Sequence, residues 1–281
     1  MATDNEKYLL DIDEILGKKL SKKLPFFVKS FLKRRLHLKE INDCILKAQY
    51  PSGIGFCDEA LDYIGITYKV RGIEKIDTSK KFIYAGNHPL GGPEALIIGS
   101  IFRQIYNDGF RVPVNSILGN LKSLAEFFTP VNVVSSKQNR NLGEQIDQML
   151  RSEHQILIFP AGKCARKYHG KVTELPWKKT FISLSRKYQR DIIPVHTSGY
   201  NSGKFMFFSR LSEILHLKVN IGMLFLVDEL FNKKGTEFVI TFGDPIPWET
   251  FDRSKSDIQW AEFVKNRVAE IAAGNGKEPN M

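Results

Sequence analysis

Cysteine and long apolar runs are both scarce in this chain. Only three thiols occur among its 281 residues, at Cys44, Cys57 and Cys164. Thiols this few and this scattered provide neither a disulfide framework nor a zinc site, and they are typical of a reducing compartment. No stretch approaches the roughly 20 consecutive apolar residues that a membrane-spanning helix needs. The acidic start, Met1 to Glu6, lacks the basic-then-apolar order of a secretory signal. The sequence therefore predicts a cytoplasmic protein that meets a membrane only at its surface.

Acidic residues are outnumbered, and one segment has none. With 41 Lys and Arg against 31 Asp and Glu, the formal net charge is +10 and the pI is near 9.4. This excess predicts an anionic partner: a membrane surface, a nucleic acid or a phosphorylated substrate. Nucleic acid is disfavoured, because the chain has no zinc-finger spacing, no aromatic RNA-binding signature and no suitable glycine loop. Between Lys18 and Lys39 all the charged residues are basic.

The N-terminal region has a helical pattern. Across residues 8–50 the apolar positions recur at steps of three and four, which predicts amphipathic helices. One would run from Leu9 to Leu16, and another, begun by Pro25, would carry the phenylalanines of residues 26–31. Basic residues opposite large apolar ones are typical of a helix that lies on a membrane surface. The pattern fits equally well a helix that packs its apolar face on the core, and one helix can do both.

From residue 64 onward, short apolar runs alternate with helical patterns. This alternation predicts an α/β fold, with a mostly parallel sheet flanked by helices and an N-terminal helical cap. The predicted division is a basic, amphipathic helical region at 1–62, an α/β domain at 63–273 and a frayed tail at 274–281. Strands are predicted at 66–70, 81–85, 112–114, 131–134, 155–159, 192–195, 224–227 and 237–242, and helices at 94–106, 118–128, 141–152, 178–188, 209–216 and 256–272.

A histidine follows one of these strands. The run from Phe82 to Ala85 leads into the segment Asn87-His88-Pro89-Leu90-Gly91-Gly92-Pro93-Glu94, and a helical run comes next. His88 would thus lie at a strand end, and the Glu94 carboxylate would lie at the start of the next helix. A carboxylate that holds one imidazole nitrogen leaves the other free to act as a base. A lone histidine beside a glycine turn is more often structural, so a role for His88 depends on further motifs.

Two further motifs also lie at predicted strands. The strand at 155–159 runs into Phe159-Pro160-Ala161-Gly162, with Lys163 and Arg166 close behind, and Ile193-Pro194-Val195 comes later. In this order, Asn87-His88 and these two blocks resemble the glycerolipid acyltransferase family, which includes glycerol-3-phosphate and lysophosphatidic acid acyltransferases. The resemblance covers residues 82–196 and continues more weakly to 245.

One branch of that family is the most similar. The run from Asn87 to Gly92, together with Trp177-Lys178-Lys179-Thr180-Phe181, resembles a bacterial haemolysin-like branch. Members of that branch are linked to acylation of the lyso-forms of amino-acid lipids such as ornithine or glycine lipids. The resemblance therefore implies a lyso-amino-acid lipid as one candidate acceptor.

Three departures from the family pattern affect the acceptor more than the reaction. Five residues, where the family usually has four, separate His88 from the acid, and that acid is Glu94 where the family has aspartate. The haemolysin-like branch also has the longer spacing. Ala161 stands where the third block usually has a glutamate, although Lys163 and Arg166 keep the block cationic. The second block is reduced to Phe128-Thr129-Pro130-Val131-Asn132, and Lys137 or Arg140 would replace its arginine.

The reaction implied by the resemblance is transfer of a fatty acyl group to the hydroxyl of a lyso-lipid. The donor would be acyl-CoA or an acylated acyl carrier protein, with no metal and no cofactor besides that co-substrate. His88 would take the hydroxyl proton and Glu94 would hold the imidazole. The backbone N–H groups around Gly91, Gly92 and Gly162 are candidate oxyanion donors. The side chains of Lys163 and Arg166 are candidate ligands for an anionic group of the acceptor or the carrier. Each glycine fits a tight turn equally well, and the bases fit a surface loop. The predicted substrate-binding residues are Asn87, Gly91, Gly92, Phe159, Pro160, Gly162, Lys163 and Arg166.

The predicted partners are a membrane surface, a lyso-lipid acceptor and an acidic acyl carrier protein, and the predicted location is the inner face of the membrane. One alternative is a non-catalytic, haemolysin-like protein of the membrane surface. Glu94 and Ala161 fit such a loss of chemistry, whereas His88 speaks against it. Another alternative is a hydrolase that uses His88 and Glu94 on water. That reading is disfavoured because the usual Gly-x-Ser-x-Gly elbow is absent.

Overall fold

The computed structural model describes residues 4–17, 21–106, 109–115, 121–131, 146–168, 170–214 and 225–274. They contain one seven-stranded sheet and one two-stranded hairpin. The strands are β1 (Thr67–Arg71), β2 (Phe82–Gly86), β3 (Phe110–Asn115), β4 (Phe128–Val131), β5 (Gln155–Ile158), β6 (Arg166–Tyr168), β7 (Lys171–Thr173), β8 (Asp191–Thr197) and β9 (Glu237–Phe242). The helices are α1 (Ile12–Leu16), α2 (Phe26–Arg35), α3 (Leu38–Lys47), α4 (Gly55–Ile64), α5 (Pro93–Tyr106), α6 (Thr180–Tyr188), α7 (Gly203–Ile214), α8 (Leu226–Phe231) and α9 (Asp257–Gly274), and residues 146–151 are also helical.

The large sheet has the strand order β1-β9-β8-β2-β5-β3-β4. Its neighbouring strands run parallel except for β8 and β9, which pair antiparallel. The predicted α/β fold with a mostly parallel sheet and N-terminal helices is confirmed. Because β2 lies between the parallel strands β5 and β8, the carboxyl ends of these three strands meet at one edge of the sheet. In open parallel sheets that edge is where ligands bind.

Helices cover both faces of the sheet. Every residue of β2 is buried, as expected for a central parallel strand. Its side chains alternate between two cores: Tyr84 packs with α3, α4 and α5, whereas Ile83 packs with α6 and α9. The helices α3 and α4 therefore share a core with the sheet.

Residues 121–131 differ from the sequence prediction. A helix is predicted at 118–128, but the described part of it contains only the 3₁₀ turn Lys122–Leu124 before β4 begins at Phe128. The apolar residues of this stretch reach the core from a turn and a strand, and Phe128 pairs with Val112 of β3. The strand predicted at 131–134 thus begins three residues earlier, and residues 132–134 lie outside the described residues.

Two further predictions of secondary structure are wrong. A strand is predicted at 224–227, but Leu226 begins helix α8, because its apolar residues recur at a helical spacing. The helix predicted from Leu9 to Leu16 begins only at Ile12, because the Asp11 carboxylate accepts the N–H groups of the first turn. The hairpin β6–β7 was not predicted at all. Residues 141–145 and 215–216 of two predicted helices lie outside the described residues.

The N-terminal helix α2 has no buried residue. Among the described residues, no helix has the length and apolar character needed to cross a bilayer.

Candidate active site

Asn87 and His88 directly follow the central strand β2. The Asn87 side-chain amide donates to the carbonyl of Thr197 at 2.9 Å, and its oxygen accepts the N–H of Thr197 at 2.7 Å. Asn87 thus joins the end of β2 to the end of β8. This contact fixes the backbone on which His88 is carried, and it directs the Asn87 side chain toward β8.

His88 and Glu94 are brought together, as the sequence predicts. The His88 Nδ1 lies 3.4 Å from the Glu94 Oε1, and Glu94 is completely buried whereas the His88 side chain is 17% exposed. The same Glu94 oxygen accepts the N–H groups of Leu90 at 2.6 Å and Gly91 at 2.9 Å. Glu94 is in the first turn of α5, where the helix dipole favours a negative charge.

The charge on Glu94 is maintained despite its burial. Burial acts to raise the pKa of Glu94, but His88 and the N–H groups of Gly91 and Leu90 outweigh it, and the pKa is lowered overall. The carboxylate therefore stays ionised at neutral pH and faces one nitrogen of the imidazole. The His88 ring stacks on Phe159 with a centroid separation of 4.4 Å, which fixes its plane.

Glu174 completes the surroundings of His88, and sequence reasoning missed it. Both of its carboxylate oxygens accept the backbone N–H of His88, at 3.1 and 3.3 Å, and one also accepts the Trp177 indole N–H at 3.3 Å. Burial raises the pKa of Glu174, and the neighbouring His88 opposes that rise. Glu174 follows the unpredicted hairpin β6–β7, so only its position just before Trp177 could have signalled it.

Two of the three candidate glycines use their amides for other bonds. Gly91 donates to Glu94, and Gly162 donates to the carbonyl of Phe159 at 2.9 Å in a turn. Both have positive φ, of 92° and 68°, which glycine adopts without strain. A Cβ on Gly92 would meet no atom within 4 Å, so there is open space beside this residue. Gly92 is therefore the best placed of the three to donate to an oxyanion.

The bases of the third block lie in different surroundings. Lys163 is exposed, whereas Arg166 is buried and donates to the carbonyl of Cys164 at 2.8 Å. The ammonium group of Lys178, which the sequence analysis did not select, lies 3.3 Å from the position that a Cβ on Gly162 would take. Pro160 is buried, and its carbonyl accepts the N–H of Lys178 at 3.1 Å. Lys163 and Lys178 are thus exposed cations at this edge, and Arg166 supports the loop from inside.

Cys164 is a buried thiol, and burial raises its pKa to about 12. A thiol with so high a pKa is not a nucleophile at neutral pH. The reduced second block, Phe128 to Asn132, begins as strand β4. Asn132, Lys137 and Arg140 lie outside the described residues.

The arrangement can perform general-base chemistry. A buried carboxylate lies 3.4 Å from Nδ1 of a histidine whose ring stacks on Phe159, and Nε2 is the nitrogen left for a proton of the substrate. A carboxylate in this position stabilises the imidazolium that forms when the proton is taken.

Comparisons with known proteins agree with this chemistry. The sequence model of a family described as "Acyltransferase" matches residues 15–273. A lyso-glycine lipid O-acyltransferase of Bacteroides thetaiotaomicron is 37% identical over 272 residues, which cover 96% of this chain and 100% of that protein. A protein of the same name from Phocaeicola vulgatus is 36% identical, over 96% of this chain and 97% of its own length.

A solved structure has a similar fold. The 1-acyl-sn-glycerophosphate (LPA) acyltransferase PlsC of Thermotoga maritima superposes with a TM-score of 0.50 and 16% identity, covering 90% of this chain and 91% of that one.

Proposed function

This chain belongs to the acyltransferase family, and we propose that it transfers a fatty acyl group from a thioester carrier to the hydroxyl of a lyso-glycine lipid. The observation that carries the proposal is the contact between His88 and the buried Glu94, at the edge where the parallel strands end. The acceptor rests on the two lyso-glycine lipid O-acyltransferases that match along nearly the whole chain.

The chemistry requires no covalent enzyme intermediate. The Nε2 of His88 takes the proton of the acceptor hydroxyl while that oxygen attacks the thioester carbonyl. The tetrahedral intermediate then expels the thiolate, which receives the proton from the imidazolium, so that an ester and a free thiol are formed. General-base catalysis of this kind contributes roughly 10²–10⁴-fold.

The negative charge on the former carbonyl oxygen needs a donor during the attack. We assign this role to the N–H of Gly92, since the amides of Gly91 and Gly162 are engaged elsewhere. A donor aimed at the developing oxyanion stabilises the transition state more than the ground state.

The exposed lysines at this edge suit an anionic donor. Lys163 and Lys178 flank the turn at Gly162 and present positive charge beside the catalytic pair. Acyl-CoA carries phosphates, and an acyl carrier protein is acidic, so the same cations attract either donor.

The acceptor reaches the enzyme from a membrane surface. On α2, Phe26 is 86% exposed, Phe27 72% and Phe31 48%, so these rings do not pack on the core. The nearby Lys33 and Arg34 are also exposed. Aromatic rings beside bases suit a helix lying on anionic lipid, where each base contributes on the order of 1 kcal/mol. We infer peripheral attachment to the inner face of the membrane.

Acyl transfer with defined lipids tests the proposal. The donors are acyl carrier protein and CoA, each carrying a labelled fatty acyl group. Each donor is offered with lyso-glycine lipid, lyso-ornithine lipid and lysophosphatidic acid. We expect transfer to lyso-glycine lipid, loss of that transfer in His88→Ala, and retention within a few-fold in Cys164→Ser. Preference for lysophosphatidic acid would overturn the acceptor. Vesicle binding without transfer to any acceptor would favour the non-catalytic alternative.

A further inference from the structure

Helix α7 has an apolar outer face that the sequence analysis did not identify. Phe207 and Ile214 are each 62% exposed, and Leu211 lies between them at helical spacing. Lys204 and Arg210 are exposed on the same helix. Exposed aromatic and aliphatic side chains with basic neighbours are typical of a helix lying in a membrane interface.

This face is continuous with the exposed rings of α2. The Arg35 guanidinium lies 5.6 Å from the ring centre of Phe31 and 5.2 Å from that of Phe225. The Phe225 ring stacks on Phe208 at 4.6 Å, and Phe208 contacts Phe207 at 5.4 Å. A row of ring contacts thus leads from α2 to α7 across the surface.

The charges along this row suit a lipid surface. Arg35 and Lys204 lie over the Phe225 ring, and the acid beside them, Asp228, is paired with Arg35 and His37. Asp228 thus neutralises Arg35, whereas no acid in the described part of the chain pairs with Lys204, so the charge of Lys204 is left to face an anionic partner. Headgroups of an anionic bilayer provide such charges above an apolar layer that accepts the rings.

The inner face of α7 leads to the active site. Phe205 and Met206 are buried against Cys164 in one apolar cluster that also includes Leu226. A Cβ on Gly91 would collide with both the Cys164 sulfur and a Leu226 methyl group. The helix with the exposed outer face is thus packed, on its other side, against the loop that holds Glu94.

We propose that α7 is a second membrane-contact element, which together with α2 holds the active site against an anionic bilayer. The inference deepens the proposed function by naming the surface through which a membrane-borne acceptor is met. It depends on vesicle binding by this face and not on the identity of the acceptor.

Vesicle binding by the full chain tests the role of α7. Vesicles of phosphatidylcholine with and without phosphatidylglycerol are titrated with the wild type and with Phe207→Ser/Ile214→Ser. Because both side chains would leave an apolar environment, we expect binding to the anionic vesicles to weaken at least about tenfold. Ile258→Ser is the matched control: Ile258 is 52% exposed on α9, which packs on a separate core, and its loss should leave binding unchanged.

The conservative pair Phe207→Leu/Ile214→Leu separates loss of apolar surface from loss of fold, and it should bind vesicles as the wild type does. Unchanged binding by the serine pair would overturn the proposal. So would dimers of the wild type that the serine pair dissociates, because the face would then be a contact between copies. Acyl transfer is measured separately: vesicle binding that depends on α7 without transfer sustains this inference and refutes the proposed function.

Discussion

Replacing Glu94 by glutamine tests the central pair most directly. Glutamine has nearly the same shape, and its carbonyl oxygen can still accept the N–H groups of Leu90 and Gly91. What disappears is the negative charge 3.4 Å from the His88 Nδ1. The substitution therefore removes stabilisation of the imidazolium while the turn keeps its acceptor.

The size of the effect follows from that distance. Two unit charges 3.4 Å apart interact by about 5 kcal/mol at an effective dielectric constant of about 20. Part of this is recovered from water, because the His88 side chain is partly exposed. We expect kcat to fall by about 10²–10³, since about 1.4 kcal/mol corresponds to a factor of ten.

The assay is initial-rate acyl transfer to lyso-glycine lipid, with circular dichroism and thermal unfolding as checks of folding. Glu94→Asp is the matched control, since it keeps the charge but withdraws it by one carbon–carbon bond, about 1.5 Å. We expect its kcat to lie between those of the wild type and Glu94→Gln. Because Glu94 acts through the imidazole, Glu94→Gln should cost nothing further in a His88→Ala background.

Two results would refute this reasoning. One is a folded Glu94→Gln protein whose kcat lies within threefold of the wild type. The other is full additivity of the two substitutions, which would mean that Glu94 affects the reaction by a route independent of His88.

Three further predictions concern the surroundings of the pair. Gly91→Ala should lower the free energy of unfolding by about 1–3 kcal/mol, because φ is 92° and a Cβ would collide with the Cys164 thiol. Gly92→Ala is the control: there is open space at that position, so its free energy of unfolding should stay within about 0.5 kcal/mol of the wild type in the same denaturant titration. Glu174→Gln should lower kcat about tenfold, because a carboxylate accepts the backbone N–H of His88 more strongly than an amide does. A kcat within twofold of the wild type would show that this contact does not position His88 for the reaction. Finally, the pKa of Glu94 is lowered on folding from its usual 4.5, so its contribution to stability is present above pH 4.5 and is lost as pH falls through the folded value. Denaturant unfolding between pH 7 and pH 3 should show this loss in the wild type and less of it in Glu94→Gln.

Local sequence patterns determined the parts of the site that lie close together in the chain. His88 and Glu94 are six residues apart, and the intervening turn can be recognised from its glycines and prolines. Strand β2 is a continuous apolar run, and such a run predicts a strand that is covered on both faces at the centre of the sheet. The His88 segment, which follows β2 directly, is therefore predicted to lie at the end of a central strand. The acyltransferase prediction is confirmed by the family match and by the full-length relatives.

Tertiary structure alone decided the contacts between distant segments. Glu174 reaches His88 from 86 residues away, by way of a hairpin that has no clear strand pattern. The short runs at 118–128 and 224–227 were assigned wrongly, because a few apolar residues can reach a core from a helix, a turn or a strand. Likewise, the sequence shows that α7 has apolar residues on both faces, but only packing shows which face is covered. Phe205 and Phe207 differ in nothing but the direction in which the folded helix points them.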